Sequence, residues 1–305
     1  MTPRPLILDT DIGTDVDDLV ALSLILNSPE LELIGVTTVY GDVALRARMV
    51  RKLLALRGRP DVPVAMGAAK PLLGKRDVYW EGHEGQGLLT EADFAAPLAG
   101  DHAVDFIVRT VMAHPGEITL AAIGPLTNVA LAFLREPALA RALAGLVIMG
   151  GVVGGAGALH LPWVEHNFRC DPEAGHIVLA AGAAPRIVPL DVTTRVRICQ
   201  DDAERIRALG DPFHLAVADQ ILRYPAFVRR GGYTFLHDPL AVATVIEPAL
   251  VTWQAVHAVV ETGGEHTAGR LLAALPTAER PATAQIALDV DVERSERFIV
   301  ERLLR

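Results

Sequence analysis

Residues 9–18 read Asp-Thr-Asp-Ile-Gly-Thr-Asp-Val-Asp-Asp, which sets five carboxylates (Asp9, Asp11, Asp15, Asp17 and Asp18) within ten positions. Carboxylates this close raise one another's pKa and give up their charge unless a counter-charge sits among them. A hard divalent cation held by oxygen alone meets that need, so Ca²⁺ or Mg²⁺ is expected rather than zinc or copper. Capping a helix N-terminus accounts for one or two such acids, and five exceed it. An EF-hand is excluded by counting: from Asp9, Thr14 falls where the turn glycine belongs and Val20 where the bidentate glutamate belongs.

The elements that must position these acids follow from periodicity. Short apolar runs bounded by turn signals predict strands at 6–8, 31–39, 62–66, 118–123, 146–149 and 187–190. Helical spacing predicts helices at 16–26, 42–56 (closed by Gly58), 101–113, 126–135 and 172–181. The alternation then loosens into helices at 201–209 and 212–229, a Gly-Gly turn, a short helix from Pro239, strands at 256–261 and 286–290, and a closing helix at 293–304. The fold expected is α/β: a single open, mostly parallel twisted sheet with helices on both faces, in one domain over residues 1–305. Two stretches, 67–100 and 150–169, are too long for plain connectors, are rich in glycine, and contain histidine and acidic residues. Each follows a strand end, so both are expected at the carboxyl edge of the sheet, where open α/β sheets bind ligands.

Composition narrows the partners. With 51% hydrophobic and 21% charged residues the chain is that of a compact soluble protein. No apolar run approaches the ~20 residues of a membrane span, and the start runs into a strand ending in acids rather than a signal peptide, so a cytoplasmic address is expected. A formal charge of -9 without a basic block argues against nucleic-acid polymers and anionic membranes. Cys170 and Cys199 lack CxxC spacing and are expected as free thiols.

The acid cluster is one of several ordered motifs. It is followed by Thr37-Thr38-Val39-Tyr40-Gly41-Asp42, Gly124-Pro125-Leu126-Thr127-Asn128, Met149-Gly150-Gly151, Glu165-His166-Asn167-Phe168 before Asp171-Pro172-Glu173-Ala174, and His237-Asp238-Pro239. In this order and spacing the chain resembles the inosine–uridine preferring nucleoside hydrolase family over most of its length, with two extra residues between Gly13 and the paired acids. The resemblance implies a Rossmann-like nucleoside hydrolase fold and calcium-dependent hydrolysis of the N-glycosidic bond of ribonucleosides to ribose and free base, through an oxocarbenium-like transition state. It implies calcium ligands at Asp11, Asp18, the Thr127 carbonyl and Asp238, with Asp11 also taking the proton of the attacking water. Asp17, Glu165 and Asn167 would read the ribose hydroxyls, Glu165 and Asn167 facing the pocket from an extended segment while His166 points elsewhere. His237, or His83 in the 82–88 loop, would assist the departing base, and Tyr233 and Trp80 could stack on it. A homo-oligomer, dimer or tetramer, is implied as well.

Departures touch the 5′ side of the sugar. Asp42 stands where many members have Asn and is carried over as a substrate-binding residue on that altered footing; Leu159 and His160 stand near another usual Asn. Two other readings remain open at this stage. Asp9-Thr10-Asp11 at a strand end also looks like the nucleophile motif of haloacid-dehalogenase-like phosphatases, with Asp9 forming an aspartyl-phosphate. A non-catalytic, calcium-dependent nucleoside-binding protein would instead have lost Asp11 or a ligand, and all are present.

Overall fold

The computed structural model describes residues 2–98, 100–154 and 158–305; residues 155–157 of the long 150–169 stretch and residue 99 of the 67–100 stretch lie outside them. A nine-stranded sheet runs through the molecule in the order β10-β9-β11-β6-β5-β4-β1-β2-β3. Its strands are β1 (Arg4–Thr10), β2 (Leu31–Thr38), β3 (Val64–Met66), β4 (Thr119–Ala122), β5 (Gly145–Met149), β6 (Arg186–Val188), β9 (Val251–Val260), β10 (Leu271–Ala274) and β11 (Ala284–Val290). Every pairing is parallel except β9 with β11 and β10 with β9, so the sheet is mostly parallel with an antiparallel margin. A separate two-stranded piece pairs β7 (Arg197–Cys199) with β8 (Tyr233–Phe235).

Burial on both faces explains why β1 reads as an unbroken apolar run rather than an alternation. Leu6 and Leu8 enter a core formed with the helices Asp17–Leu26, Val43–Leu56, His237–Ile246 and Val292–Leu303. Ile7 enters the opposite core, formed with Ala103–Ala113, Thr127–Arg135 and Pro172–Ala180. Because β1 is an interior strand, with β2 and β4 on its two sides, the acids at its end lie within the carboxyl edge rather than at the sheet's margin.

The sequence expectations fail in instructive places. The expected helix 212–229 is two helices, Pro212–Arg223 and Pro225–Arg229, because Pro225 lacks an N–H and forces Tyr224 out of helical conformation, to φ -56 and ψ 123. The expected strand 187–190 stops at Val188, since Pro189 turns the chain into the short helix Leu190–Thr193. β9 begins at Val251, five residues ahead of the expected 256, and β7, β8 and β10 are too short to show a period. Cys170 is buried and Cys199 exposed, both free. Among the described residues no helix is long and apolar enough to cross a membrane.

Asn128, buried at the start of Thr127–Arg135, joins three parts of the edge. Its Nδ2 donates to Asp9 Oδ1 (2.8 Å) and to the Thr38 carbonyl (3.1 Å), and its Oδ1 accepts from Ala68 N (2.9 Å). A Cβ at Gly67 would come within 2.2 Å of the Asn128 carboxamide, so only glycine lets the chain leave β3 past it. Gly67→Ala is expected to destabilise the fold by ~1–3 kcal/mol, read as a lower urea midpoint at unchanged m-value; an unchanged midpoint would show that Asn128 does not need this space.

Candidate active site

Two helix N-termini converge on the loop that follows β1. Asp17 and Asp18 open Asp17–Leu26, His237 and Asp238 open His237–Ile246, and these helices pack side by side, with Asp238 N donating to Asp17 Oδ2 (3.1 Å). The carboxylates of Asp17, Asp18 and Asp238 each offer an oxygen within 4.8 Å of the others, and all three residues are buried. Positive helix ends favour acids here but do not neutralise them. Among the described residues none of the three forms an ion pair; Asp18 accepts from the Thr10 hydroxyl.

Asp11 is buried and lines the same cleft, beside Gly124, where a Cβ would lie 2.8 Å from Asp11 Oδ1. The cleft has a volume of about 300 Å³ and is lined by Asp11, Asp17, Asp18 and Asp238 together with Tyr79, Glu81 and Tyr224. Burial, with the charges of Asp15 and Asp18, pushes Asp17 well above the ordinary carboxylate range. Burial and Asp11 do so for Asp18, and burial with Asp17 and Asp18 for Asp238. Buried, mutually repelling, oxygen-only ligands fit a hard divalent cation: bound, it would keep the cluster ionised.

Glu165 and Asn167 also line the cleft, but not from an extended segment. Glu165 caps the one-turn helix His166–Cys170: Oε1 accepts from Asn167 N (2.6 Å) and Oε2 from Gly151 N (2.9 Å) and Phe168 N (3.1 Å). Asn167 Nδ2 donates to the carbonyls of Ile123 (2.8 Å) and Met149 (3.2 Å), joining the ends of β4 and β5. The helical turn brings His166 into the cleft as well, with Nε2 3.8 Å from Asp11 Oδ2, which corrects the expectation that it faces elsewhere.

His237 lines the cleft, and its Nδ1 lies 2.7 Å from the Thr193 hydroxyl. Burial pushes its pKa down to about 4, opposed by Asp15, so the imidazole is neutral at neutral pH. His83 lies in an adjoining hollow of about 200 Å³, which shares Asp15 and Tyr224 with the cleft. Thr127, buried, donates its hydroxyl to Asp171 Oδ2 (2.7 Å) and is not among the residues lining the cleft. Asp42 is exposed and is spent as the cap of Val43–Leu56, accepting from Ala44 N (3.1 Å) and Leu45 N (2.9 Å). Trp80 packs on Arg46 and Gly41, and Tyr233 on Arg197 and Phe235, so neither lines the cleft. The cleft aromatics are Tyr79 and Tyr224; the Tyr-Pro step at 224–225 was the available signal for the second. Burial and the Asp15 carboxylate keep the Tyr224 phenol protonated, well above its ordinary pKa.

Asp9 is sealed beneath the cleft with no exposed surface, one oxygen accepting from Thr37 and Asn128. A nucleophile must reach its substrate, so this placement removes the aspartyl-phosphate reading.

A cleft of buried acids and amides at the carboxyl edge of a parallel sheet makes the chain an α/β enzyme of the open-sheet class. Within that class it belongs to the inosine-uridine preferring nucleoside hydrolase family, whose model matches residues 6–297. It is 35% identical to the pyrimidine-specific ribonucleoside hydrolase RihA of Salmonella schwarzengrund, over 98% of each chain. To the RihA of Citrobacter koseri it is 35% identical, over 98% of this chain and 97% of that one. Its structure superposes on the purine-preferring ribonucleoside hydrolase of Gardnerella vaginalis with a TM-score of 0.85 at 31% identity, covering 99% of this chain and 98% of the other. The activity is hydrolysis of ribonucleosides to ribose and base, and the family is metal-dependent.

The raised carboxyls set a pH dependence. Burial raises Asp9 from 3.8 to about 7, so the folded chain binds more protons than the unfolded one across that interval, and stability falls as pH rises through it. Asp17, Asp18 and Asp238 shift in the same direction. In thermal melts of the metal-free protein, Tm is expected to fall between about pH 5 and 7, with a shallower fall for Asp9→Asn. A Tm that rises over this range would show that these groups are ionised in the folded chain.

Proposed function

We propose that this protein is a calcium-dependent ribonucleoside hydrolase of residues 1–305 acting as a single domain, with Asp11, Asp18 and Asp238 of the cleft as calcium ligands and the Thr127 carbonyl, on the family resemblance alone, as a fourth. The observation that carries it is the convergence of three buried carboxylates within 4.8 Å, beside Asp11, in a cleft of nucleoside size. Asp17 belongs to that trio, and its Oδ2 is tied to Asp238 N, which suits a residue that reads a ribose hydroxyl next to the cation. Bound calcium would supply a positive charge that gathers the vicinal hydroxyls and lowers the pKa of the attacking water.

The protein's own groups account for the remaining demands. Asp11 takes the water proton as the water oxygen bonds to the anomeric carbon; the bond to the base nitrogen breaks, and its electron pair leaves with the base. The oxocarbenium character that develops on the ribose is favoured by the carboxylates below it. Burial raises the Glu165 carboxyl above its ordinary pKa while three backbone N–H groups fix its oxygens, and Asn167 retains Oδ1 for the substrate, which suits both to the sugar. A neutral His237 that accepts a hydrogen bond from the Thr193 hydroxyl at Nδ1 would carry its own proton on Nε2 and offer the departing base a hydrogen bond rather than a full charge. His83, one hollow away, has a buried Nε2 without a hydrogen-bond partner among the described residues and is the second candidate for that task. A cytoplasmic location and a homo-oligomer, dimer or tetramer, complete the proposal and rest on the family resemblance and composition.

Reducing-sugar release from a panel of purine and pyrimidine ribonucleosides, with and without a calcium chelator, tests it; turnover untouched by chelation sinks the calcium assignment. Asp11→Ala is expected to cut kcat by roughly 10²–10⁴-fold with the far-UV spectrum unchanged, and near-normal turnover would remove it as the base. His237→Ala is expected to slow nucleosides with poor leaving groups more than activated ones. Equal slowing would deny it contact with the leaving base.

A further inference from the structure

Residues 67–100 bring Tyr79 and Glu81 to the rim of the cleft, and the anchor that holds them there is polar and buried. Glu84, 7% exposed, accepts from the backbone N–H of Glu81 (2.9 Å) and Gly82 (2.7 Å), and from the Thr14 hydroxyl (3.4 Å). Thr14 in turn accepts from Arg46 Nη2 (3.1 Å). Arg46, with no exposed surface, donates Nε to the Tyr40 carbonyl (2.6 Å) and Nη1 to the Ile12 carbonyl (2.7 Å). Its guanidinium lies 5.0 Å from the Trp80 ring, and Trp80 fills the space that a Cβ on Gly41 would need. A buried charge with this many directed partners keeps them, because losing any one leaves a charged group short of a hydrogen bond in low dielectric.

We propose that Glu84, acting through Thr14 and Arg46, is a positioning residue that seats Tyr79 and Glu81 over the substrate on the same loop that carries the acid cluster. Ile12 and Thr14 lie between Asp11 and the acid pair at 17–18, so the backbone that fixes the acids is the backbone that holds the seat. An interaction that orders one therefore orders the other, and by reciprocity a seated 79–84 segment raises affinity for a cation by the factor by which the cation favours seating. This coupling rests on the calcium reading above; the seat itself rests only on nucleoside hydrolysis.

The experiment compares Glu84→Ala with the conservative Thr14→Val and the restoring Thr14→Ser, each in the full chain. KM for a hydrolysed ribonucleoside is expected to rise roughly tenfold in Glu84→Ala with kcat changed by less than about threefold, since seating serves binding. Thr14→Val moves the same way to a lesser extent, and Thr14→Ser restores the parent value. A fall in kcat at constant KM, or KM unmoved in both Glu84→Ala and Thr14→Val, overturns the proposal. A second reading uses Trp80 emission, with Trp163 and Trp253 replaced by Phe, as calcium alone is added to metal-free protein. The signal is expected to change, and the change to vanish in Glu84→Ala. Retention of the response in Glu84→Ala, or no response while calorimetry shows calcium bound, overturns the coupling. If calorimetry shows no calcium bound while the KM effect persists, the calcium reading fails and the seat stands.

Discussion

The structure turns on one electrostatic constraint: several carboxylates of like charge must be held close together, out of water, at the end of a sheet. Asp11, Asp17, Asp18 and Asp238 are all buried, and the charges of Asp11, Asp17 and Asp18 raise the cost of ionising their neighbours. The fold meets this in layers. Two helix N-termini aim at the cluster, a backbone N–H and a threonine hydroxyl take two of the oxygens, and Gly124 lets the chain pass within contact distance of Asp11. The charge left over is what a divalent cation would balance, so the metal site is the unfinished part of a folding problem.

Much of this was legible in the sequence because the local signals agreed with the global fold. Residues 6–8 read as a buried strand, the acids as its carboxyl-edge terminus, and His237-Asp238-Pro239 as a helix start, and each is found so. β7 and β8, three residues each, were missed because they carry no period and no continuous apolar run, whereas the equally short β3 and β6 showed as apolar runs bounded by turn signals. The antiparallel margin was hidden for another reason: the first half of β9 is only partly buried, so its apolar pattern is weak.

The site shows the same division. Acids and amides that touch the cleft were found through their motifs, because ligand chemistry demands residue type. The residues that orient them were missed where tertiary contact decides their role. Arg46 looks like one of several basic residues on a helix until the fold brings Ile12, Thr14 and Tyr40 around it. His166 was assigned away from the cleft by a period of two, and the cap formed by Glu165 changed that period to a helical one. Asp42 was read through its motif neighbours, and the structure spends it on capping instead.

The hydrogen bond between Asp17 and Asp238 joins residues 221 positions apart, across nearly the whole run of crossover connections. A chain emerging from the ribosome exposes its acid loop long before the matching helix, whose Asp238 follows Asp17 by 221 residues. Until then the loop carries repelling charges with no second helix end to face, so it stays open while the central strands are already pairing. The cleft thus depends on chain far downstream of the acid loop, and a fragment cut short before residue 237 would possess most of the sheet's strands yet lack Asp238 to complete the acid trio.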